Sequence, residues 1–287
     1  MKFIPLNYIT SEKSKNFIEK TTLFLALVFF LIHLFLIYLC QNQIIQIPLN
    51  SNLFSSPISA IYTPFSFILI YEVYLLVYYI PKSFSNYIIK QYEIVSLIIL
   101  RKLFKDLSSI DQNGGWDQFQ DFHLPYQLIT SLILFTAIYL FNLENNKLVK
   151  NNIKGKSITK FINFKKIIST ILYPILFLLA IHTLIFWFYD VFTNFKIDSL
   201  SLDNLFFYEV FSILIIVDVL LLLVSFFYTD KFHKIFRNSG FIISTVLIRL
   251  SFGFQTPLSN ILILSAVFFG LLIFIIHNRY ESNLNKL

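Results

Sequence analysis

Six polar side chains that can carry a charge lie inside long apolar segments of this 287-residue chain. They are two carboxylates, two guanidinium groups and two imidazoles, at Glu72, Asp218, Arg101, Arg249, His33 and His182. An arginine stays charged in proteins, and it favours the ionised form of a neighbouring carboxylate. A histidine titrates near neutral pH and can take up or release a proton. Groups of these types, if they meet, can bind or move an ion, a proton or a small charged solute.

The same polar side chains recur in the same order in the two halves of the chain. The strings FSFILIYEVYLL at 65–76 and FSILIIVDVLLL at 211–222 place a carboxylate at the same position, and the other matches follow at a nearly constant offset. Apolar strings match easily by chance, so the polar residues carry the comparison. The matched pairs are Glu72 with Asp218, Arg101 with Arg249, His33 with His182, Phe65 with Phe211, and Phe104 with Phe252.

Long apolar segments must position these side chains, and the composition indicates what surrounds them. Hydrophobic residues make up 56% of the chain and charged residues 14%, and the mean hydropathy is +0.70. Soluble proteins carry about 25% charged residues, so this composition predicts an all-α, polytopic helix bundle in a membrane. Eight segments are candidate transmembrane helices, namely 21–40, 58–80, 86–105, 125–143, 167–189, 205–228, 240–253 and 258–278.

The recurrence of the polar residues predicts an architecture for this bundle. We expect an internal duplication with a first four-helix membrane repeat over 1–160, including a lysine-rich linker, and a second four-helix repeat over 161–287. An even number of spans in each repeat makes the two repeats parallel, related by an axis along the membrane normal.

The lysine and arginine residues orient the predicted bundle. With a cytoplasmic N-terminus and eight spans, most of the 23 basic residues lie on the cytoplasmic side, as the positive-inside rule requires. If 86–105 did not span, the lysine-rich loop at 147–166 would move outside, which the rule disfavours. We therefore expect both termini in the cytoplasm and the lysine clusters against anionic lipid headgroups. The bias toward Ile, Phe, Asn and Lys favours a bacterial inner membrane as the location.

Helix geometry predicts several local contacts. Lys90 and Glu93 are three residues apart and can pair on one helix face. Tyr71 and Tyr74 flank Glu72 and can donate hydrogen bonds to it. Counting the rise per residue from the outer helix ends places a histidine, a carboxylate and an arginine together in the outer half of each repeat.

Several other function classes find no support in the sequence. The single cysteine, Cys40, excludes an intrachain disulfide, and neither zinc-ligand spacing nor a nucleotide-binding or hydrolase motif occurs. The net charge of +7 comes from lysine clusters beside apolar segments, so nucleic acid is not an expected partner. We expect no cofactor, no metal site, no catalytic residue and no enzymatic activity.

The leading hypothesis is a small transporter or channel whose pathway runs between the two repeats and is lined by the six polar side chains. The alternative is a non-transporting scaffold or sensor subunit, in which those side chains fix helix register while the protein packs with membrane partners or with further copies of itself. A lipid-modifying intramembrane enzyme that uses a histidine and an acid as general base has the least support.

Overall fold

A computed structural model describes residues 11–44, 57–108, 123–147, 156–194, 199–228, 230–254 and 257–284. These residues form eight α-helices and one 3-10 turn, with no strand among them. The helices are α1 (Glu12–Gln41), α2 (Tyr62–Tyr79, preceded by the 3-10 turn Pro57–Ile61), α3 (Phe84–Ser108), α4 (His123–Lys147), α5 (Lys156–Asn194), α6 (Ser199–Phe226), α7 (Phe232–Ser251) and α8 (Leu258–Leu284). Each predicted segment overlaps one of these helices, so the all-α prediction is confirmed.

Five of the helices are long and apolar enough to cross a membrane. The qualifying stretches are Glu12–Gln41, Leu124–Lys147, Thr159–Leu179, Glu209–Phe226 and Leu258–Leu284. Large apolar side chains cover their outer faces, and Leu132 and Ile216, for example, are each 68% exposed. An apolar surface of this extent is suited to lipid tails rather than to water. These features fit a multi-pass membrane protein.

Helices that follow one another in the chain pack together within each half, and helices of one half also pack on helices of the other. Within the described residues, α4 packs on α8, α3 on α7 and α2 on α5. Aromatic rings fill the space between α3, α4, α7 and α8, where the Phe141 ring lies 4.7 Å from the Phe274 ring and 5.4 Å from the Tyr92 ring. The two halves therefore share one core.

Side-chain contacts between helix ends show which ends lie together on one face of the bundle. The Asn145 amide near the end of α4 donates to Asn86 Oδ1 near the start of α3 at 3.0 Å. Asn278 near the end of α8 donates to the Glu144 carbonyl at 3.0 Å. The α2–α3 turn, the end of α4 and the end of α8 consequently lie on the same face of the bundle.

The region predicted as a lysine-rich loop at 147–166 is helical in its second part. Helix α5 begins at Lys156, and the boundary predicted between residues 160 and 161 falls inside it. Lysine is a good helix former, and Lys165 is only 2% exposed. Its Nζ amino group donates to the Lys82 carbonyl at 2.7 Å, in the turn that follows α2. This hydrogen bond stabilises the contact of α5 with α2.

Replacing Lys165 by alanine should cost about 1 kcal/mol of stability, because it removes a hydrogen bond between helices and the packing of the lysine stem. Thermal unfolding in detergent measures the change. Lys160 is exposed on the same helix, so Lys160→Ala is the matched control and should change stability by less than about 0.5 kcal/mol. Equal effects of the two substitutions would contradict the role given to Lys165.

Candidate functional site

A buried ion pair joins α6 to α7. Arg249 Nη1 lies 2.7 Å from Asp218 Oδ2, and the two side chains are 3% and 0% exposed. The carboxylate and the arginine that the sequence predicted to meet in the second half therefore do meet. A pair of this kind withdraws two charges from solvent, so its geometry and its further hydrogen bonds decide whether it is tolerated.

Side chains from α3, in the other half of the chain, complete the hydrogen bonds of this pair. Tyr87 donates to Asp218 Oδ1 at 2.7 Å, and Arg249 Nη2 donates to Gln91 Oε1 at 2.8 Å. Thr245 Oγ1 lies 3.1 Å from Asp218 Oδ2 and 3.0 Å from the Ile242 carbonyl, so its one hydroxyl proton is shared between these two acceptors. We call the ion pair and the side chains of Tyr87, Gln91 and Thr245 the Asp218 network. Both carboxylate oxygens accept hydrogen bonds, and α3 contacts both members of the ion pair.

One atom of the Asp218 network has no hydrogen-bond partner. The Nε2 amide nitrogen of Gln91 is buried and lacks an acceptor in the described part of the chain. The Oε1 of the same side chain is held by Arg249, which fixes the orientation of the amide. A buried amide group without an acceptor is uncommon in native proteins and calls for an explanation.

A second polar contact lies beside the network and joins α3, α7 and α8. Ser244 donates to the Ala266 carbonyl at 2.6 Å, so its oxygen accepts the hydroxyl proton of Tyr92, also at 2.6 Å. Gly270 on α8 makes this approach possible, because a Cβ atom there would meet the Tyr92 hydroxyl and would lie 3.1 Å from Ser244 Oγ.

The network lies toward the α2–α3 turn of the bundle. Tyr87 and Gln91 belong to the first two turns of α3, and Asp218 lies in the last third of α6. Arg249 is near the end of α7, but helical side chains point back toward the helix N-terminus. The guanidinium therefore points back along α7 toward Asp218.

The first half of the chain arranges its polar side chains differently from the prediction. Glu72 and Arg101 are 3% and 4% exposed, on the adjacent helices α2 and α3. The His33 ring contacts the Thr63 hydroxyl at 2.5 Å. Thr63 lies nine positions before Glu72, roughly 13 Å along the helix axis. The structure therefore does not bring His33 to Glu72.

Two local predictions have opposite outcomes. Lys90 and Glu93 pair at 2.5 Å, as their spacing predicted. Tyr71, which was expected to donate to the adjacent Glu72, instead donates to Glu19 Oε2 on α1 at 2.8 Å. Tyrosine and glutamate on successive positions of a helix point in different directions, so a neighbouring helix supplies the acceptor.

His182 is also separated from the buried cluster of its own half. Its side chain is exposed on α5, whereas Asp218 is fully buried. Tyr87, Gln91 and Thr245 occupy the positions around the ion pair that the imidazole was expected to share. The sequence spacing could have indicated these partners. Tyr87 and Gln91 are four residues apart on α3, and Thr245 is four residues before Arg249 on α7, so each pair lies on one helix face.

Matching pairs of phenylalanine rings occur in the two halves. Phe65 on α2 stacks on Phe104 on α3, with ring centroids 4.9 Å apart. Phe211 on α6 contacts Phe252, just after α7, with centroids 5.1 Å apart. These are positions that the sequence comparison had aligned.

Side chains that could hold a metal ion do not cluster among the described residues. No group of three or more His, Cys, Asp or Glu side chains with suitable geometry occurs there. No family model, no curated protein and no solved structure matches the chain.

Proposed function

We propose that the chain is a transporter or channel with eight membrane spans, and that it moves an ion, a proton or a small charged solute between two four-helix repeats. The observation that carries this proposal is the Asp218 network, a buried ion pair whose members are both held by a helix of the other half. Charged side chains within a membrane are costly and usually mark the path of a solute. In this proposal both termini lie in the cytoplasm.

The hydrogen bonds of the Asp218 network join α3, in the first repeat, to α6 and α7, in the second. Arg249 keeps its charge and needs a counter-charge in a surrounding of low dielectric constant. A proton on Asp218, or a solute ion that competes for either member of the pair, removes that counter-charge. The hydrogen bonds of Tyr87 and Gln91 depend on the same pair, so α3 separates from α6 and α7 in the same event. Rocking of one repeat against the other is a common route to alternating access.

The unsatisfied amide of Gln91 supports a solute site at this place. Its N–H groups lie beside the Arg249 guanidinium, and both are donors. An acceptor that enters the network, such as a water molecule or a solute oxygen, satisfies the amide.

Two observations support the duplication that this proposal contains. The ring pair Phe65–Phe104 has its counterpart in Phe211–Phe252. Both halves also bury a carboxylate on their second helix and an arginine on their third. A parallel pair of repeats places such elements around one central axis.

A non-transporting scaffold or sensor subunit is the second candidate. The observation that favours it is the full burial of Asp218, whose two oxygens both accept hydrogen bonds from protein donors. In a scaffold, this cluster would fix the helix register and move no solute. The exposed apolar faces would then bind a membrane protein or a second copy of the chain.

Flux measurements in proteoliposomes separate the two candidates. The assay follows protons with an internal pH-sensitive dye, and it follows sodium, potassium and chloride with ion-selective electrodes. We expect the wild type to conduct at least one of these ions, and Asp218→Asn/Arg249→Gln to abolish that flux because both charges are gone. Glu72→Gln tests the first half in the same assay.

The control for the flux assay is Glu93→Gln, which removes a carboxylate from a half-exposed pair outside the network. This variant should conduct like the wild type. Equal flux in all variants, or no flux of any of the four ions in the wild type, contradicts transport. Recovery of a stoichiometric partner protein from the native membrane, together with absent flux, favours the scaffold.

A further inference from the structure

A groove lies between α1, α2 and α5. It encloses about 210 Å³, and its walls are almost entirely apolar or aromatic. The residues that the argument uses are Phe17, Thr21, Val77, Tyr74, Tyr173 and Phe177. One turn of an α-helix is about 5.4 Å long and 10 Å wide, a volume of roughly 420 Å³, so the groove is too small for even one turn of a partner helix. Its volume suits a stretch of flexible hydrocarbon chain.

Unpaired lysines lie at one end of the groove. Lys15 is less than one turn before Phe17 on α1, and its ammonium lies 6.0 Å from the centre of the Tyr79 ring. Lys82 follows α2, and its ammonium lies 5.4 Å from the centre of the Tyr78 ring. Neither lysine has a carboxylate within 4.0 Å in the described part of the chain. Two cations are therefore available for an anion at this end.

Tyrosine rings connect the wall of the groove to these lysines. The Tyr74 ring meets the Tyr173 ring edge-on at 5.8 Å inside the groove. It also lies 5.9 Å from the Tyr78 ring, and the Lys82 ammonium lies over that second ring. Tyrosines with an apolar body and a polar tip are typical of the boundary between lipid tails and headgroups. The cationic end and the apolar groove are thus parts of one surface.

We propose that this groove binds one phospholipid with an anionic headgroup, an acyl chain lying between α1, α2 and α5 and the phosphate lying between Lys15 and Lys82. The apolar walls suit the chain, and the two cations suit the phosphate and favour an anionic over a zwitterionic lipid. Two acidic residues of α1 lie near this end of the groove: Glu19 is engaged by the Tyr71 hydroxyl, and Glu12 lies in the first turn of α1, close enough to Tyr78 to act on it electrostatically. Neither carboxylate pairs with Lys15 or Lys82 within 4.0 Å in the described part of the chain. The site is independent of transport, so it holds equally for a scaffold.

Native mass spectrometry of the full-length protein tests the headgroup part of the proposal. Delipidated protein in detergent is titrated with phosphatidylglycerol and, separately, with phosphatidylcholine. We expect one phosphatidylglycerol to bind more tightly than the others, and Lys15→Gln/Lys82→Gln to weaken it roughly 25-fold, because each lysine near an anionic headgroup contributes about fivefold in affinity. The charge-matched control, Lys147→Gln/Lys231→Gln, removes two lysines from other helices and should leave this first lipid unchanged.

A substitution that fills the groove tests the position of the acyl chain. Thr21 lines the groove but is exposed, so Thr21→Trp should displace the tightly bound lipid without disturbing buried packing. Leu132→Trp, at an exposed position of α4, adds the same ring elsewhere and should retain the lipid. Equal affinity for the two lipids, an unchanged lipid in Lys15→Gln/Lys82→Gln, or a retained lipid in a folded Thr21→Trp protein would each overturn the proposal. If Thr21→Trp does not fold, the lysine pair and its control decide alone.

Discussion

Asp218→Asn should lower the free energy of unfolding by about 3 to 5 kcal/mol, because it leaves the buried Arg249 guanidinium without a counter-charge. The asparagine keeps the shape of the side chain and one acceptor for Tyr87. The loss therefore reports the uncompensated charge rather than a cavity. Unfolding in mixed detergent micelles, followed by circular dichroism, measures it. Asp230 is exposed between α6 and α7, so Asp230→Asn is the matched control and should change stability by less than about 0.5 kcal/mol.

The double variant Asp218→Asn/Arg249→Gln should recover more than half of this loss, because removing both members of a buried pair costs much less than removing one. Additive losses from the two single substitutions would show that the charges do not interact in the membrane. The recovered stability also makes the double variant the right protein for the flux measurement. Lost flux in a stable protein then reports function and not misfolding.

Gly270→Ala should destabilise the protein by about 2 kcal/mol, within the range found for overpacked cores. The added Cβ meets the Tyr92 hydroxyl, which has to leave Ser244 or push α8 away from α3. Thermal unfolding in detergent measures the cost. Gly253 is exposed after α7, and a Cβ there would have its nearest neighbour at 3.4 Å, an ordinary contact. Gly253→Ala is therefore the control and should be close to neutral.

Tyr92→Phe separates this steric effect from other effects of the alanine. In the Tyr92→Phe background the hydroxyl is absent, so Gly270→Ala should cost less than it does in the wild type. Part of the cost remains, because the Cζ atom of the ring lies 3.3 Å from the added Cβ. An undiminished cost would show that the close approach of α8 to α3 at this glycine is not the cause.

Contacts within a helix, or between helices adjacent in the chain, could be predicted from the sequence. The Lys90–Glu93 pair follows from the helical repeat, and the Asp218–Arg249 pair follows from charges that must find each other in an apolar surrounding. The places of Tyr87 and Gln91 could not be predicted, because they depend on how α3 packs on α7 across the two halves. Packing angle and register between distant helices are not visible in one sequence.

The same limit explains the two histidines. The prediction aligned His33 and His182 by their offset in the sequence and estimated their depth from the helix ends. Neither quantity gives the direction in which a side chain points. In the structure His33 faces Thr63 on α2, while His182 is exposed on α5. A helix turns 100° per residue, so a small error in helix phase moves a side chain from the interior to the surface.

Helix phase also decides whether the contacts of the Asp218 network form. Thr245 and Arg249 contact the Asp218 carboxylate from one face of α7. Tyr87 and Gln91 contact the two members of the ion pair from one face of α3. Turning either helix about its long axis by one residue carries both of its contacts away together. The contacts that each helix makes to the ion pair therefore depend on one helix phase, and a rotation of that helix breaks them together.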